Sequence, residues 1–316
     1  MPLYLTESDV ENLLTMDIAI DSLDEAFRLQ ARGLAFNHPR YRLPMGSGTF
    51  AFMAATAPGL GVMGTKTYGA TRGGVRFYVN LVNTATSKLL AVIEASRLGQ
   101  VRTGAASGVA TRYMARPDAA TVGMIGTGYQ ARTQLEAVCK VRHVEVARVY
   151  GRTEATREEF AASAAGDLGL TVIAARSAEE CVKGADIVIT VTSSSSPVLS
   201  GEWITHGTHI NAAGSNHITR RELDPETIKR ATVVVADDTE TARVECGELI
   251  HAVERGILGW NQVLNLSSVV AGEALGRKSL QDITLFESQG LALEDIAVGL
   301  RVYKAALQRG IGKEIG

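Results

Sequence analysis

The chain reads as an α/β protein: a doubly wound parallel sheet joined to a second domain of the α+β type. Three observations predict this. A Gly-x-Gly-x-x-Ala turn follows a short apolar strand at residues 122–131. Strands and helices alternate from residue 121 onward. Before that point, residues 41–93 break into short extended pieces separated by Gly and Asn.

Taken in order, residues 6–34 carry Ile18, Ile20, Leu23, Phe27 and Leu34 at roughly helical spacing, with Ser8 and Asp17 as capping residues. Segments 50–55, 62–68, 77–83 and 88–93 read as an antiparallel sheet. Residues 99–114 return to helix, and Ala105, Ala106, Ser107, Gly108 and Ala110 suit close packing. Arg116-Pro117-Asp118 is the expected domain border, because proline cannot continue a helix. The α+β domain is thus assigned to residues 1–116 and the parallel sheet to 117–290. Strands are expected there at 121–125, 144–150, 172–173, 186–192, 209–213 and 232–236. A last helix, 291–308, crosses back, so that residues 291–316 complete the first domain.

At 316 residues, 46% hydrophobic and 21% charged, the chain can bury more than one core and is too apolar for disorder. A net charge of −2 supplies no basic stripe, so nucleic acid is not an expected partner. No apolar run reaches the ~18 residues of a membrane span. Met1-Pro2-Leu3-Tyr4-Leu5 lacks a signal peptide's basic and apolar regions, so a cytoplasmic protein without membrane contact is expected. Cys139, Cys181 and Cys246 are odd in number and widely spaced, which suits buried thiols in a reducing compartment. His206, His209 and His217 cluster in sequence, but the first two do not share a strand face and no Cys or Glu completes a zinc set. No metal is expected.

The glycine turn has a physical job at each small residue. Gly126 permits a tight turn, Gly128 lets a pyrophosphate approach the backbone, and Ala131 lets the following helix, starting near Gln130, pack on the strand. N–H groups at that helix start favour negative charge. About twenty residues later, an NAD-specific site places an acid at the end of the second strand. This chain has Gly151-Arg152-Thr153 there, with Arg157 one turn on. A planar guanidinium suits a 2′-phosphate, so the expected cofactor is NADPH/NADP+, with NADH binding more weakly.

Three cations in the first domain are candidates for the substrate: Arg42, Lys66 and Arg102. Lys66 lies on an expected strand between Met63 and Tyr68, where partial burial lowers a lysine's pKa toward acid–base work.

With these motifs in place, the chain resembles the ornithine cyclodeaminase/mu-crystallin family over nearly its whole length. The matching segments are Gly64-Thr-Lys-Thr67, Leu89-Leu-Ala-Val-Ile93, Arg102-Thr-Gly-Ala-Ala-Ser107, Gly126-Thr-Gly-Tyr-Gln-Ala131 and Ile210-Asn-Ala-Ala-Gly214. Arg221-Glu-Leu-Asp224 and Thr284-Leu-Phe-Glu-Ser-Gln-Gly290 also match. The resemblance implies a Rossmann-type cofactor domain and a domain that binds substrate and forms a homodimer through its sheet. It implies that Arg42, Lys66 and Arg102 surround the substrate carboxylate, with Lys66 also close to the reacting nitrogen. Thr103, Thr127, Tyr129, Gln130, Arg152, Thr153 and Thr192 would line the cofactor, and Ser288 and Gly290 would approach its nicotinamide end.

One departure matters. Cyclodeaminases of this family carry Asp after the fifth strand as base or water activator, whereas this chain has Gly214-Ser215-Asn216. Neutral Asn orients a nitrogen or water but takes no proton at pH 7. With the arginine at 152, this points to reduction of a C=N bond beside a carboxylate, as in pyrroline- or piperideine-2-carboxylate. Lys66 would serve as proton donor and Asn216 would hold the nitrogen. The alternatives are ornithine cyclodeaminase, an alanine- or opine-type amino-acid dehydrogenase, and a non-catalytic NADPH-binding protein of the crystallin kind.

Overall fold

A short strand, β1 (Leu3–Leu5), leads into two helices, α1 (Glu7–Leu13) and α2 (Met16–Ala31), where the periodicity reads as one. The computed structural model describes residues 1–46 and 48–316. Caps explain the break. Thr6 Oγ1 accepts from Asp9 N while Asp9 accepts from Thr6 N, and Thr15 Oγ1 accepts from Ile18 N. Ser8 and Asp17, expected as caps, lie inside the first turns instead.

Four long strands follow as successive hairpins: β2 (Phe36–Met45), β3 (Gly48–Ala57), β4 (Val62–Thr71) and β5 (Gly74–Asn83). Then come β6 (Leu89–Glu94) and α3 (Ser96–Met114). The Glu7 carboxylate accepts from Ser96 N and Arg97 N, closing the start of α3.

The remaining strands of the middle of the chain are β7 (Thr121–Ile125), β8 (Val146–Tyr150), β9 (Thr171–Ala174), β10 (Ile187–Thr190), β11 (His209–Ala212), β12 (Val233–Ala236), β13 (Val263–Asn265) and β14 (Thr284–Glu287). Helices α4 (Ala131–Val141), α5 (Glu154–Leu168), α6 (Ala178–Val182), α7 (Pro225–Arg230), α8 (Thr239–Glu245), α9 (Gly247–Glu254) and α10 (Leu266–Val270) alternate with them. The chain closes with α11 (Ala292–Arg309) and β15 (Lys313–Glu314). Strands β1, β2 and β13 to β15 were not among those expected from sequence.

Two compact units result. One comprises Met1–Arg102 with Gly290–Gly316, the other Thr103–Gln289. The first crossing therefore falls inside α3 rather than at the Arg116-Pro117-Asp118 turn.

The first unit is a seven-stranded sheet in the order β15-β1-β6-β5-β4-β3-β2. Its inner face alternates as a half-buried sheet should, burying Ala51, Met53, Ala55, Val62, Val79, Leu81, Ala91 and Ile93. Helix α11 covers that face, and residues 291–300 are all buried. The other face bares Phe36, Tyr41 and Phe52.

The second unit is an eight-stranded, all-parallel sheet in the order β13-β12-β14-β11-β10-β7-β8-β9. From β7 the chain runs outward through β8 and β9 on one side, then returns to lay β10 and β11 on the other, which makes the β7/β10 boundary the topological switch point. Ligands of such sheets bind at the carboxyl ends of the strands there. Near the start of this unit, the small residues of α3 have the expected use. A Cβ at Gly104 would lie 2.3 Å from the carbonyl oxygen of Thr133 on α4.

Candidate functional site

In the second unit the glycine turn sits at the end of β7, beside the switch point. Gly126 has φ +119°, and a Cβ on it would fall 2.4 Å from the Val191 carbonyl oxygen, so only glycine fits. Its N–H donates to the Tyr150 carbonyl at 2.8 Å. Gly128 is exposed with nothing within 4 Å of an added Cβ, the open space that a phosphate requires. Gln130 is the N-cap of α4 and makes no side-chain cap bond, leaving the helix start to an anion. Ala131 is fully buried, Thr127 half-buried and Tyr129 62% exposed. These residues fit a dinucleotide.

At the end of β8, Gly151 lies against Thr127, whose Oγ1 would be 2.5 Å from an added Cβ. Arg152 and Thr153 are exposed beyond it. Arg157 is buried, donates to the Gly151 carbonyl at 3.2 Å and stacks over the Tyr150 ring at 5.6 Å. It supports the loop from beneath, a role the sequence did not suggest. No acid occupies 150–153.

Thr103, on α3, accepts from Gln134 Nε2 through its carbonyl. Thr192 is half-buried after β10, and Ser288 is buried after β14 with an unpartnered hydroxyl. Asn216 is exposed on the loop that follows β11.

That loop is held by a residue which sequence reasoning missed. Glu222 Oε1 accepts from Thr192 N at 2.5 Å and its Oε2 from Gly214 N at 2.9 Å. Glu222 N in turn donates to Glu248 Oε1 at 2.7 Å. Cys246 Sγ completes the group, 3.9 Å from Glu248 Oε2 and 3.5 Å from Glu287 Oε2. Burial pushes the carboxyls of Glu222 and Glu287 up, and lifts Glu248 to about 7. The Arg221-Glu-Leu-Asp224 motif contained the signal: Asp224 caps α7, which leaves Glu222 as an acid between two buried strands.

The histidines separate. His209 is buried between Thr284 Oγ1 at 2.9 Å and Asn211 Oδ1 at 3.2 Å, and burial lowers it to about 3, so it stays neutral. His206 and His217 are exposed.

In the first unit, Lys66 occupies a rung of the sheet whose other members are Met53, Val79, Ile93 and Leu5, all apolar and buried. It is 3% exposed, deeper than the partial burial expected. Its ammonium donates to Asp295 Oδ1 at 2.8 Å and lies 5.2 Å from the Phe77 ring centre. Arg102 Nε donates to the same oxygen at 3.1 Å, and its Nη1 to Glu294 Oε2 at 2.6 Å. Burial, then the charge of Arg102, lower Lys66 to about 8 against the opposing pull of Asp295. Burial also disfavours the Arg102 cation, but Asp295 and Glu294 outweigh it and raise its pKa.

A bulge between His38 and Tyr41 turns Arg40 to the same face, where its Nε contacts Met53 sulfur at 3.3 Å and its Nη2 donates to the Gly290 carbonyl at 3.2 Å. Arg42, the arginine expected here, pairs with Ala51 two rungs further along and is half-buried. Gly290 has φ +78°. Three cations thus face two carboxyls of α11, a buried excess of positive charge that suits an anionic ligand group.

Several known proteins share this architecture throughout. The sequence profile of the ornithine cyclodeaminase/mu-crystallin family matches residues 2–310. The alanine dehydrogenase of Archaeoglobus fulgidus is 37% identical over 99% of this chain and 98% of its own. The structure of Thermococcus litoralis Δ1-pyrroline-2-carboxylate reductase with NADH and L-proline has a TM-score of 0.94 at 35% identity, covering 99% of this chain and 100% of that one. An archaeal alanine dehydrogenase dimer with bound NAD has a TM-score of 0.93 at 36% identity, covering 100% of this chain and 99% of that one.

Proposed function

This chain belongs to the ornithine cyclodeaminase/mu-crystallin family, and from that premise we propose that it is a nicotinamide-dependent reductase of a C=N bond beside a carboxylate, a cyclic imino acid such as pyrroline-2-carboxylate. The observation that carries this reading is the buried set Lys66, Arg102 and Arg40, positive in excess of Asp295 and Glu294. Arg102 and Arg40, with Arg42 beside them, bind and orient the carboxylate. Lys66, with a pKa of about 8, is mostly protonated at neutral pH and supplies a proton to the imine nitrogen. A protonated imine is the better hydride acceptor. Asn216 orients the nitrogen without competing for its proton.

Gly126, Gly128, Gln130 and Ala131 would hold the pyrophosphate, with Thr103, Thr127, Tyr129, Thr153, Thr192, Ser288 and Gly290 along the rest of the cofactor. When bound, the nicotinamide supplies the hydride. Arg152, with no acid beside it, favours the 2′-phosphate and hence NADPH. The bared apolar face of β2 and β3 supports a homodimer, and the similar archaeal alanine dehydrogenase is a dimer. Free thiols at Cys139, Cys181 and Cys246 suit a reducing cytoplasm. Among the described residues, no helix is long and apolar enough to cross a membrane.

The likeness to alanine dehydrogenase supports a second reading, reductive amination of a 2-oxo acid. Nicotinamide absorbance separates the two. Consumption of NADPH with pyrroline-2-carboxylate, faster than with pyruvate and ammonia, supports the first. The reverse order favours the second. Ornithine with oxidised cofactor should release little ammonia. Rapid release with proline as product would overturn both readings for a cyclodeaminase, and binding of cofactor without any turnover would leave a non-catalytic protein.

A further inference from the structure

Helix α11 brings two consecutive acids to the cation cluster, and they do different things. Of the two cations Glu294 bonds Arg102, whereas Asp295 Oδ1 accepts from both Lys66 Nζ and Arg102 Nε, at 2.8 and 3.1 Å. Asp295 Oδ2 is buried and has no partner, so none of the carboxylate's interaction is spent on other groups. We propose that Asp295 is the positioning residue of this site, fixing the ammonium of Lys66 and the guanidinium of Arg102 against each other through one shared oxygen. The inference rests on the imine-reduction reading and extends it to the group that controls the proton donor.

The surroundings of Lys66 show why one carboxylate matters. Helix α3 contributes Arg102 and the backbone at Gly99, where an added Cβ would lie 3.2 Å from Nζ. Strand β2 contributes Arg40, and β5 the Phe77 ring. Burial and both arginines disfavour the ammonium, and Asp295 is the group that opposes them. Without its charge, the ammonium faces two guanidiniums in an apolar rung and gives up its proton at lower pH. A substitution that only loosened packing would lower activity at every pH alike.

The test uses the full-length chain with Asp295→Asn and Asp295→Glu. Lys66 is titrated directly by NMR with lysine labelled at its ε-carbon, and kcat for the imine is followed against pH. Asp295→Asn is expected to lower the Lys66 midpoint by about one pH unit or more and to move the basic limb of kcat by the same amount. At pH 8 kcat should fall about fivefold or more, with the cofactor KM unchanged. Asp295→Glu, which keeps the charge, should hold the midpoint closer to the parent's while raising the KM for the imine. An unmoved midpoint in Asp295→Asn, or a uniform loss of kcat with no shift, overturns the proposal. If the asparagine variant does not fold, a parent-like imine KM in Asp295→Glu overturns it, and a raised imine KM supports it. The titration needs no substrate, so a parent enzyme inert toward imines would overturn the reduction reading while leaving the role of Asp295 to be decided by NMR.

Discussion

The Cα of Gly290 faces the guanidinium of Arg102 so closely that a Cβ there would lie 2.6 Å from Nη1. The same glycine accepts from Arg40 through its carbonyl. One residue with left-handed φ therefore seats both arginines. Gly290→Ala should raise the KM for the imino acid about tenfold or more, and lower stability by about 1–2 kcal/mol through backbone strain. Steady-state kinetics and urea melts check this, and a parent-like KM would count against the seating role.

Replacing Lys66 by Met should lower turnover by roughly 10²-fold, the usual scale for a lost general acid. Affinity for NADPH, read by fluorescence, should stay as it is. In the parent, the donor is the protonated lysine with a pKa of about 8. The reductive rate should therefore hold below that pH and fall as the pH rises through it. A rate that climbs above pH 8 would show Lys66 acting as base.

Cofactor choice is checked at Arg152. The parent should bind NADPH at least about tenfold better than NADH, about 1.4 kcal/mol. Arg152→Asp should narrow or invert that ratio. Equal affinities in the parent would remove Arg152 from the 2′-phosphate.

Glu248 makes stability depend on pH in an unusual direction. Its folded pKa of about 7 lies above the ordinary value of 4.5, so the folded state holds the proton more tightly. Its contribution is full below pH 4.5 and is lost as the pH rises through 7. Glu248→Gln keeps an acceptor for Glu222 N and never ionises. Thermal melts should show it more stable than the parent at pH 8, by up to about 3 kcal/mol, and little different at pH 4.5. Identical pH dependence in the two proteins would contradict this.

Assembly is checked on the outer face of the sheet. Tyr41 and Phe52 are cross-strand partners, 60% and 41% exposed. The parent should be a dimer by light scattering at micromolar concentration, and Tyr41→Glu combined with Phe52→Glu should give monomer. A dimer that survives both changes would put the interface elsewhere.

The glycine turn was legible because strand, turn and helix each leave a local pattern, and β7, Gly126 and α4 stand where that pattern put them. Strands β3 to β6 were legible for the same reason. Local pattern failed where contacts between distant residues decide. β1 and β15 are short strands held by pairing with each other and with β6. Arg40 was hidden by a bulge, which the alternation of side chains does not announce. Glu294 and Asp295 were hidden because charged residues on a helix ordinarily mark its wet side. Here residues 291–300 have no wet side, and the run Ile296-Ala-Val-Gly-Leu300 after the two acids was the available sign. Helices α1 and α2 merged in the reading because Thr6 and Thr15, rather than Ser8 and Asp17, supply the caps.

Lys66 and its carboxylate partner are separated by 229 positions, and the whole of the second unit is synthesised between them. During translation the cations emerge before the second unit and the acids of α11 after it. Until then, a lysine belonging to an apolar rung has no counter-charge, and the cost of burying it weighs against closing the sheet. The second unit, by contrast, is one uninterrupted stretch. The order of synthesis therefore favours a nascent chain whose nucleotide fold matures early, while the first sheet waits for its final helix to arrive and neutralise it.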